Sequence, residues 1–157
     1  MTTPAFTPFS PAPAGPDAAA PCVLCAEPGG LLLLQRPLWR VVRVTDTPAY
    51  PAFYRVIWNA HVGEFSELPR AQRQQCMEVV CAVEQVLRRA LCPTKINLAS
   101  LGNVVPHLHW HVIARFEGDA HFPQPIWATA QREAAPVLPL TLPELDALLL
   151  EALKTLD

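Results

Sequence analysis

A chain of 157 residues can hold one domain with a sizeable core and is short for two. Its formal net charge is −2 and its Lys and Arg are scattered, so no electrostatic footprint for a nucleic-acid backbone or an anionic membrane is present and a small, locally recognised ligand fits better. No stretch reaches the apolar length of a membrane span, the start lacks a signal-like pattern, and five cysteines, an odd count, read as thiols or metal ligands; the expected location is cytoplasmic.

Residues 1–21, MTTPAFTPFSPAPAGPDAAAP, are dominated by Pro and Ala and read as a disordered leader. From Cys22 the texture is that of a folded domain. LLLL (31–34), WRVVRV (39–44) and YRVIW (54–58) are short apolar, β-branched or aromatic runs bounded by turn formers, and each predicts a strand. Between Leu68 and Leu91 the period becomes helical. Cys76, Val79, Val80, Val83, Val86, Leu87, Ala90 and Leu91 share one face, Gln75, Glu78, Gln85 and Arg88 oppose them, and Pro69 and Pro93 mark the two ends. KINLA (95–99) and LHWHVIARF (108–116) predict two more strands, separated by a Gly102-Asn103 turn. A last helix opens at Thr141 with a capping box through Glu144 and sets Leu145, Leu148, Leu149, Leu153 and Leu156 on one stripe. The pattern is α+β, a mostly antiparallel sheet carrying helices, divided into the leader (1–21), a main domain (22–135) and a C-terminal helical extension (136–157).

Three of the chain's five histidines fall in HLHWH at every second position. On a strand this places His107, His109 and His111 on one face and Leu108, Trp110 and Val112 on the other. The apolar set is core; three adjacent imidazoles are costly to bury without partners. They could line an idle exposed face, bind a metal with help from a second element, or run nucleophilic catalysis in which neighbours fix the tautomer of the attacking ring. Cys22 and Cys25, in CVLC, have the spacing of two adjacent corners of a tetrahedral zinc, or are two reduced thiols. Cys76, Cys81 and Cys92 read as small core or surface residues, His121 as a loop residue, and Trp127 as a loop anchor or a residue packed at a partner's substrate.

HLHWHVI resembles the His-φ-His-φ-His-φ-φ signature of the histidine-triad (HIT) family of nucleotide hydrolases and transferases. The likeness runs back through INLASLGNVVPHLHWHV and includes VIWNAH (56–61), which is similar to the family's VIPKxH strand end; it spans roughly residues 22–127. The resemblance implies a HIT-like fold with a mostly antiparallel five-stranded sheet, a long packed helix and a C-terminal helix. It implies that His109 attacks the α-phosphorus of a nucleoside phosphoramidate or dinucleoside polyphosphate and is transiently nucleotidylated, with His111 at the phosphate and leaving group. Asn97 and Asn103 would lie at the substrate, Asn103 where many members carry glutamine. Gly102 would let backbone approach the phosphate, and Asp46, on the preceding strand, would accept the ribose hydroxyls. Some bacterial members bind a structural zinc through residues that correspond to Cys22, Cys25, His61 and His107. Purine nucleotide, a homodimer and no cofactor for the chemistry itself are further implications, with scattered apolar residues such as Leu38 or Trp39 as base-pocket candidates. Two departures weaken turnover: Phe53 or Tyr54 stands where many members have a supporting histidine, and Val104 replaces a hydroxyl residue. They leave open a nucleotide-binding regulatory protein with little or no turnover.

Overall fold

The computed structural model describes residues 22–134 and 136–156; the leader read over 1–21 lies outside them. A single turn α1 (Val23–Ala26) precedes β1 (Leu31–Gln35), β2 (Trp39–Arg43) and β3 (Phe53–Trp58). After the long α2 (Arg70–Leu91) come β4 (Lys95–Ala99), β5 (His109–Arg115) and α3 (Leu142–Lys154). The sheet has five strands in the order β1-β2-β3-β5-β4, and every neighbouring pair is antiparallel. Each strand predicted from composition is therefore present, because β-branched and aromatic runs suit a half-buried pleated surface.

Pleating separates two sets of side chains. Trp39, Val41, Tyr54, Val56, Trp58, Val112 and Ala114 point to the face covered by α2 and α3 and form the main core with Val79, Val80, Val83 and Leu87. Register then fixes the other face: Arg40 lies opposite Ile57, Ile57 opposite His109, Arg55 opposite His111, and Asn97 opposite Ile113. That face is covered by loops: residues around Leu24 pack on Leu32, Val42 and Ile57, and Ile126 packs with Tyr50, Phe53 and Ile113.

The helix α2 ends where the pattern places it, at Cys92 in the left-handed region (φ 45°) with Pro93 beyond. In α3 the capping box forms, Glu144 N–H donating to the Thr141 hydroxyl and Thr141 N–H to the Glu144 carboxylate. Leu145, Leu149, Leu150 and Leu153 are buried against α2 and β1, at about 1.5–3 kcal/mol of transfer free energy each. Leu148, expected on this stripe, is 48% exposed. The buried stripe instead centres on Asp146, whose carboxylate accepts from Arg43 Nε at 3.1 Å and from the Tyr54 hydroxyl at 2.8 Å.

Two local expectations are corrected. Residues 100–108 form a long connection between β4 and β5, not a tight turn, and β5 starts at His109. His107 precedes the strand because its N–H bonds to the Val105 carbonyl, a local turn that takes it off the ladder. Trp39 and Leu38 belong to the helix-side core, on the face opposite the histidines, and cannot line a pocket there.

Candidate active site and metal cluster

His109 and His111 sit side by side on β5, their ring centroids 4.8 Å apart, with 8% and 6% of their surface exposed. The Nδ1–H of His109 donates to the backbone carbonyl of His107 at 2.6 Å, so its Nε2 carries the free lone pair. Burial pushes the His109 imidazolium pKa down, against the pull of that carbonyl, and the nearby Arg55 charge lowers it further. The ring is neutral at physiological pH, the form in which an imidazole is a nucleophile. His111 is pushed down to about 3 by burial, then by His109 and Arg55, and both its ring nitrogens are buried with no hydrogen-bond partner. It is held by packing instead. The Phe53 ring stands edge-on at 5.3 Å and the half-exposed Trp127 lies across it at 5.2 Å.

The third histidine faces elsewhere. His107 is fully buried, its Nε2–H donates to the Trp58 carbonyl at 2.6 Å, and its Nδ1 lies 3.4 Å from Cys22 Sγ and 3.5 Å from Cys25 Sγ. His61 Nδ1 is 3.4 Å from Cys25 Sγ. The ligand atoms of Cys22, Cys25, His61 and His107 all lie within 4.8 Å of one another, so these four residues could hold a metal ion. Two sulfurs and two imidazole nitrogens at these separations suit the edges of a tetrahedron with bonds of about 2.0–2.3 Å, and the Trp58 carbonyl fixes the tautomer that leaves His107 Nδ1 bare. Burial pushes the Cys25 thiol up, and Cys22 adds to this while Arg40 opposes it. A divalent cation would reverse the balance in favour of thiolate.

Arg40 ties the cluster's N-terminal half to the sheet. Buried on β2, it donates to the carbonyls of Leu24, Glu27 and Pro28 and to Asn59 Oδ1. At the far end of β5, Arg115 and Asp119 form a buried two-point pair at 2.7 and 2.9 Å, and Arg115 also donates to Asn97 Oδ1 and to the Gln124 carbonyl. Burial alone would raise Asp119, but Arg115 and the N–H groups of His121, Phe122 and Phe116 outweigh it and hold its carboxyl down at about 2. The Tyr50 hydroxyl bridges Asp119 and His121 Nδ1, which places His121 inside this network, where the sequence suggested only a loop residue.

The remaining expected positions are spread around these centres. Asp46 lies past the end of β2, in the exposed connection to β3 and not on a strand; the last bond to β3 before it is from Val44 N–H to the Phe53 carbonyl. Asn97 is on β4, on the histidine face, with its oxygen engaged by Arg115. Gly102 adopts φ +67°, which favours glycine, and with Asn103, Ser100, Glu64 and His107 it lines a small cavity of about 140 Å³. Val104 is 93% exposed. A larger cavity, about 480 Å³ between α2 and the end of α3, lies on the helix side, away from the histidines. Sequence reading overlooked Arg55, Arg115 and Asp119; the signal for Arg55 was the strand period itself, which sets it between Phe53 and Ile57 on the face that carries His111.

A HIT-domain family model matches residues 32–118. The chain belongs to the HIT family. Its fold is similar to that of a histidine triad protein from Bradyrhizobium japonicum, with 29% identity, 82% of this chain and 90% of that one covered, and a TM-score of 0.62. A histidine triad protein from Marinobacter aquaeolei VT8 is similar at 27% identity, with 83% and 93% covered and a TM-score of 0.66. One from Sinorhizobium meliloti 1021 is similar at 28% identity, with 80% and 90% covered and a TM-score of 0.64. Among curated protein sequences there is no significant match. Proteins of the HIT family bind nucleotides, and as a group they are nucleotide hydrolases or binders. No helix among the described residues is long and apolar enough to cross a membrane.

Proposed function

We propose that this HIT protein cleaves a nucleoside phosphoramidate or a dinucleoside polyphosphate, with a purine nucleotide, at the α-phosphorus. The observation that carries the reading is the hydrogen bond from His109 Nδ1–H to its neighbour's carbonyl, which leaves a neutral ring with Nε2 bare. In the first step the Nε2 lone pair forms a bond to phosphorus, and the phosphorus bond to the leaving oxygen or nitrogen breaks. The leaving group keeps the bonding pair and takes up a proton from water, with His111 beside it. In the second step water attacks phosphorus, the N–P bond breaks, His109 regains its lone pair, and a nucleoside monophosphate and a proton are released. Asp46, Asn97, Gly102 and Asn103 are assigned to substrate, Asp46 at the ribose and the others around the phosphate and leaving group.

Zinc is the proposed occupant of the Cys22, Cys25, His61 and His107 cluster. Four protein ligands leave no open position, so its part is structural: to tie residues 22–25 to the sheet and hold His107 beside the nucleophile. We also propose a cytoplasmic homodimer. Support for the dimer comes from β4, an end strand of the sheet, beside which Leu98 and Leu101 are 37% and 45% exposed.

The test is intact mass after brief mixing with an adenosine phosphoramidate or a dinucleoside tetraphosphate. Wild type is expected to gain transiently one nucleoside monophosphate, and His109→Ala to show neither adduct nor product, with turnover down by at least about 10³-fold. Product formed at an undiminished rate by His109→Ala would overturn the reading. A second reading, a nucleotide-binding regulatory protein with slow turnover, is favoured by the contact of His111 with Phe53, which offers no hydrogen bond, and by the lack of a hydroxyl at Val104. It predicts saturable nucleotide binding with no adduct, and a gain in turnover for Phe53→His.

A further inference from the structure

Three arginines share the histidine face, and they are used very differently. Arg40 spends its guanidinium on the carbonyls of residues 24–28 and on Asn59, and Arg115 is closed by Asp119, Asn97 and Gln124. Arg55 makes one hydrogen bond among the described residues, from Nη1 to the Gly29 carbonyl at 3.0 Å, and its Nε–H is buried without an acceptor. No carboxylate lies within ion-pair distance of it among the described residues. Beyond the bond to Gly29 its charge is met by the Phe53 ring and the more distant Asp46 carboxylate; holding a guanidinium half-buried without an ion pair is costly, and β3 would accept an apolar residue at this position between Phe53 and Ile57.

The placement shows what could use it. Arg55 is the cross-strand partner of His111, its guanidinium carbon stands 5.6 Å from the Phe53 ring centre, and that ring touches His111, which touches His109. Arg55 thus stands on the same face as both histidines, one strand away. We infer that Arg55 is a substrate-binding residue whose guanidinium, with no carboxylate at ion-pair distance, takes the non-bridging phosphate oxygens of the nucleotide held at His109. The inference rests on the proposed reading of the site. A guanidinium is suited to this task, since its planar donors match phosphate oxygens and its charge is permanent.

Binding of adenosine monophosphate and of adenosine, measured by calorimetry on wild type, Arg55→Leu, Arg55→Gln and Arg55→Lys, tests this directly. Loss of the phosphate contact is expected to weaken the monophosphate about 10–100-fold in the Leu and Gln variants, while adenosine changes by less than about twofold and Lys recovers part of the loss. Gln keeps a donor for the Gly29 carbonyl, so it carries the test if Leu disturbs the fold. Equal losses for both ligands would assign Arg55 to the nucleoside or to structure and overturn the inference, as would no loss for either. Failure of the catalytic reading is separate: it removes the mass adduct at His109 but leaves the monophosphate-to-adenosine ratio of these variants as measured.

Discussion

Trp39, Val41, Tyr54, Val56, Trp58 and Val112 on one face of the sheet meet α2 and α3 in a continuous apolar core, relieved by a polar cluster of Asp146, Arg43 and Tyr54. Arg40, Arg55, His109, His111 and Arg115 on the opposite face are covered by loops. On the first face stability comes from area, which is non-directional and tolerant of small changes. On the second it comes from directional ties at either end of β5: Arg40 with the carbonyls of residues 24–28, beside the Cys22, Cys25, His61 and His107 cluster that could hold a metal, at one end, and Arg115 with Asp119 at the other. Between them lie His111 and the Arg55 Nε, which hold three of the five buried side-chain atoms without a partner among the described residues; the other two are Arg36 Nε and, on the helix face, Trp110 Nε1. A cluster of unsatisfied polar atoms is what a binding site requires, whereas a core tolerates them only singly.

Changes to the two faces should therefore differ in kind as well as size. The largest effect is expected at the metal cluster. Cys25→Ser should abolish stoichiometric zinc and lower the melting temperature by on the order of 10 °C; unchanged metal content by elemental analysis would remove that cluster from the account. Asp119→Asn leaves Arg115 buried without its counter-charge and should cost about 3–5 kcal/mol in urea unfolding at neutral pH. Its pH dependence has a definite sign. The folded carboxyl is held down at about 2, below its unfolded value, so its contribution of about 2 kcal/mol is present above roughly pH 4 and is lost as pH falls toward 2. Wild type should show that acid loss and Asp119→Asn should not.

The helix face supplies the smaller effects. Tyr54→Phe removes one of the hydrogen bonds to Asp146 and should cost about 1–1.5 kcal/mol, with nucleotide binding unchanged because the hydroxyl points away from the histidines. Thr141→Ala removes the cap of α3 and should cost about 1 kcal/mol, read as a drop of about 2–4 °C in melting temperature. A change in nucleotide affinity in either variant would show that the two faces are coupled, against the separation drawn above.

The elements were legible because each is long or strongly periodic for its type: α2 shows its face through seven buried positions, and α3 announces its start through Thr141 and Glu144. The metal cluster was legible only through the HIT resemblance, since nothing in CVLC itself points to His61 or His107. Boundaries set by single backbone bonds were not legible. The alternation of HLHWH runs smoothly through His107, yet a bond to Val105 removes that residue from the strand and turns its ring toward the cysteines. The Arg115–Asp119 pair was hidden for a similar reason. It closes a turn after β5, and its further partners, Asn97, Tyr50 and Gln124, come from three separate segments that only the fold brings together.

His107 joins the two halves of the site through different parts of one residue. Its ring faces the thiols and Trp58, while its backbone oxygen accepts the hydrogen bond from His109 Nδ1–H. Substitution can erase the first task and cannot reach the second, because every amino acid brings the same carbonyl. Inheritance therefore acts unevenly here: a lineage could lose the proposed metal by mutation at this position and still retain the contact that orients the His109 ring, so long as the backbone keeps its path. The tautomer of His109 is guarded by the one chemical group that the genetic code does not vary.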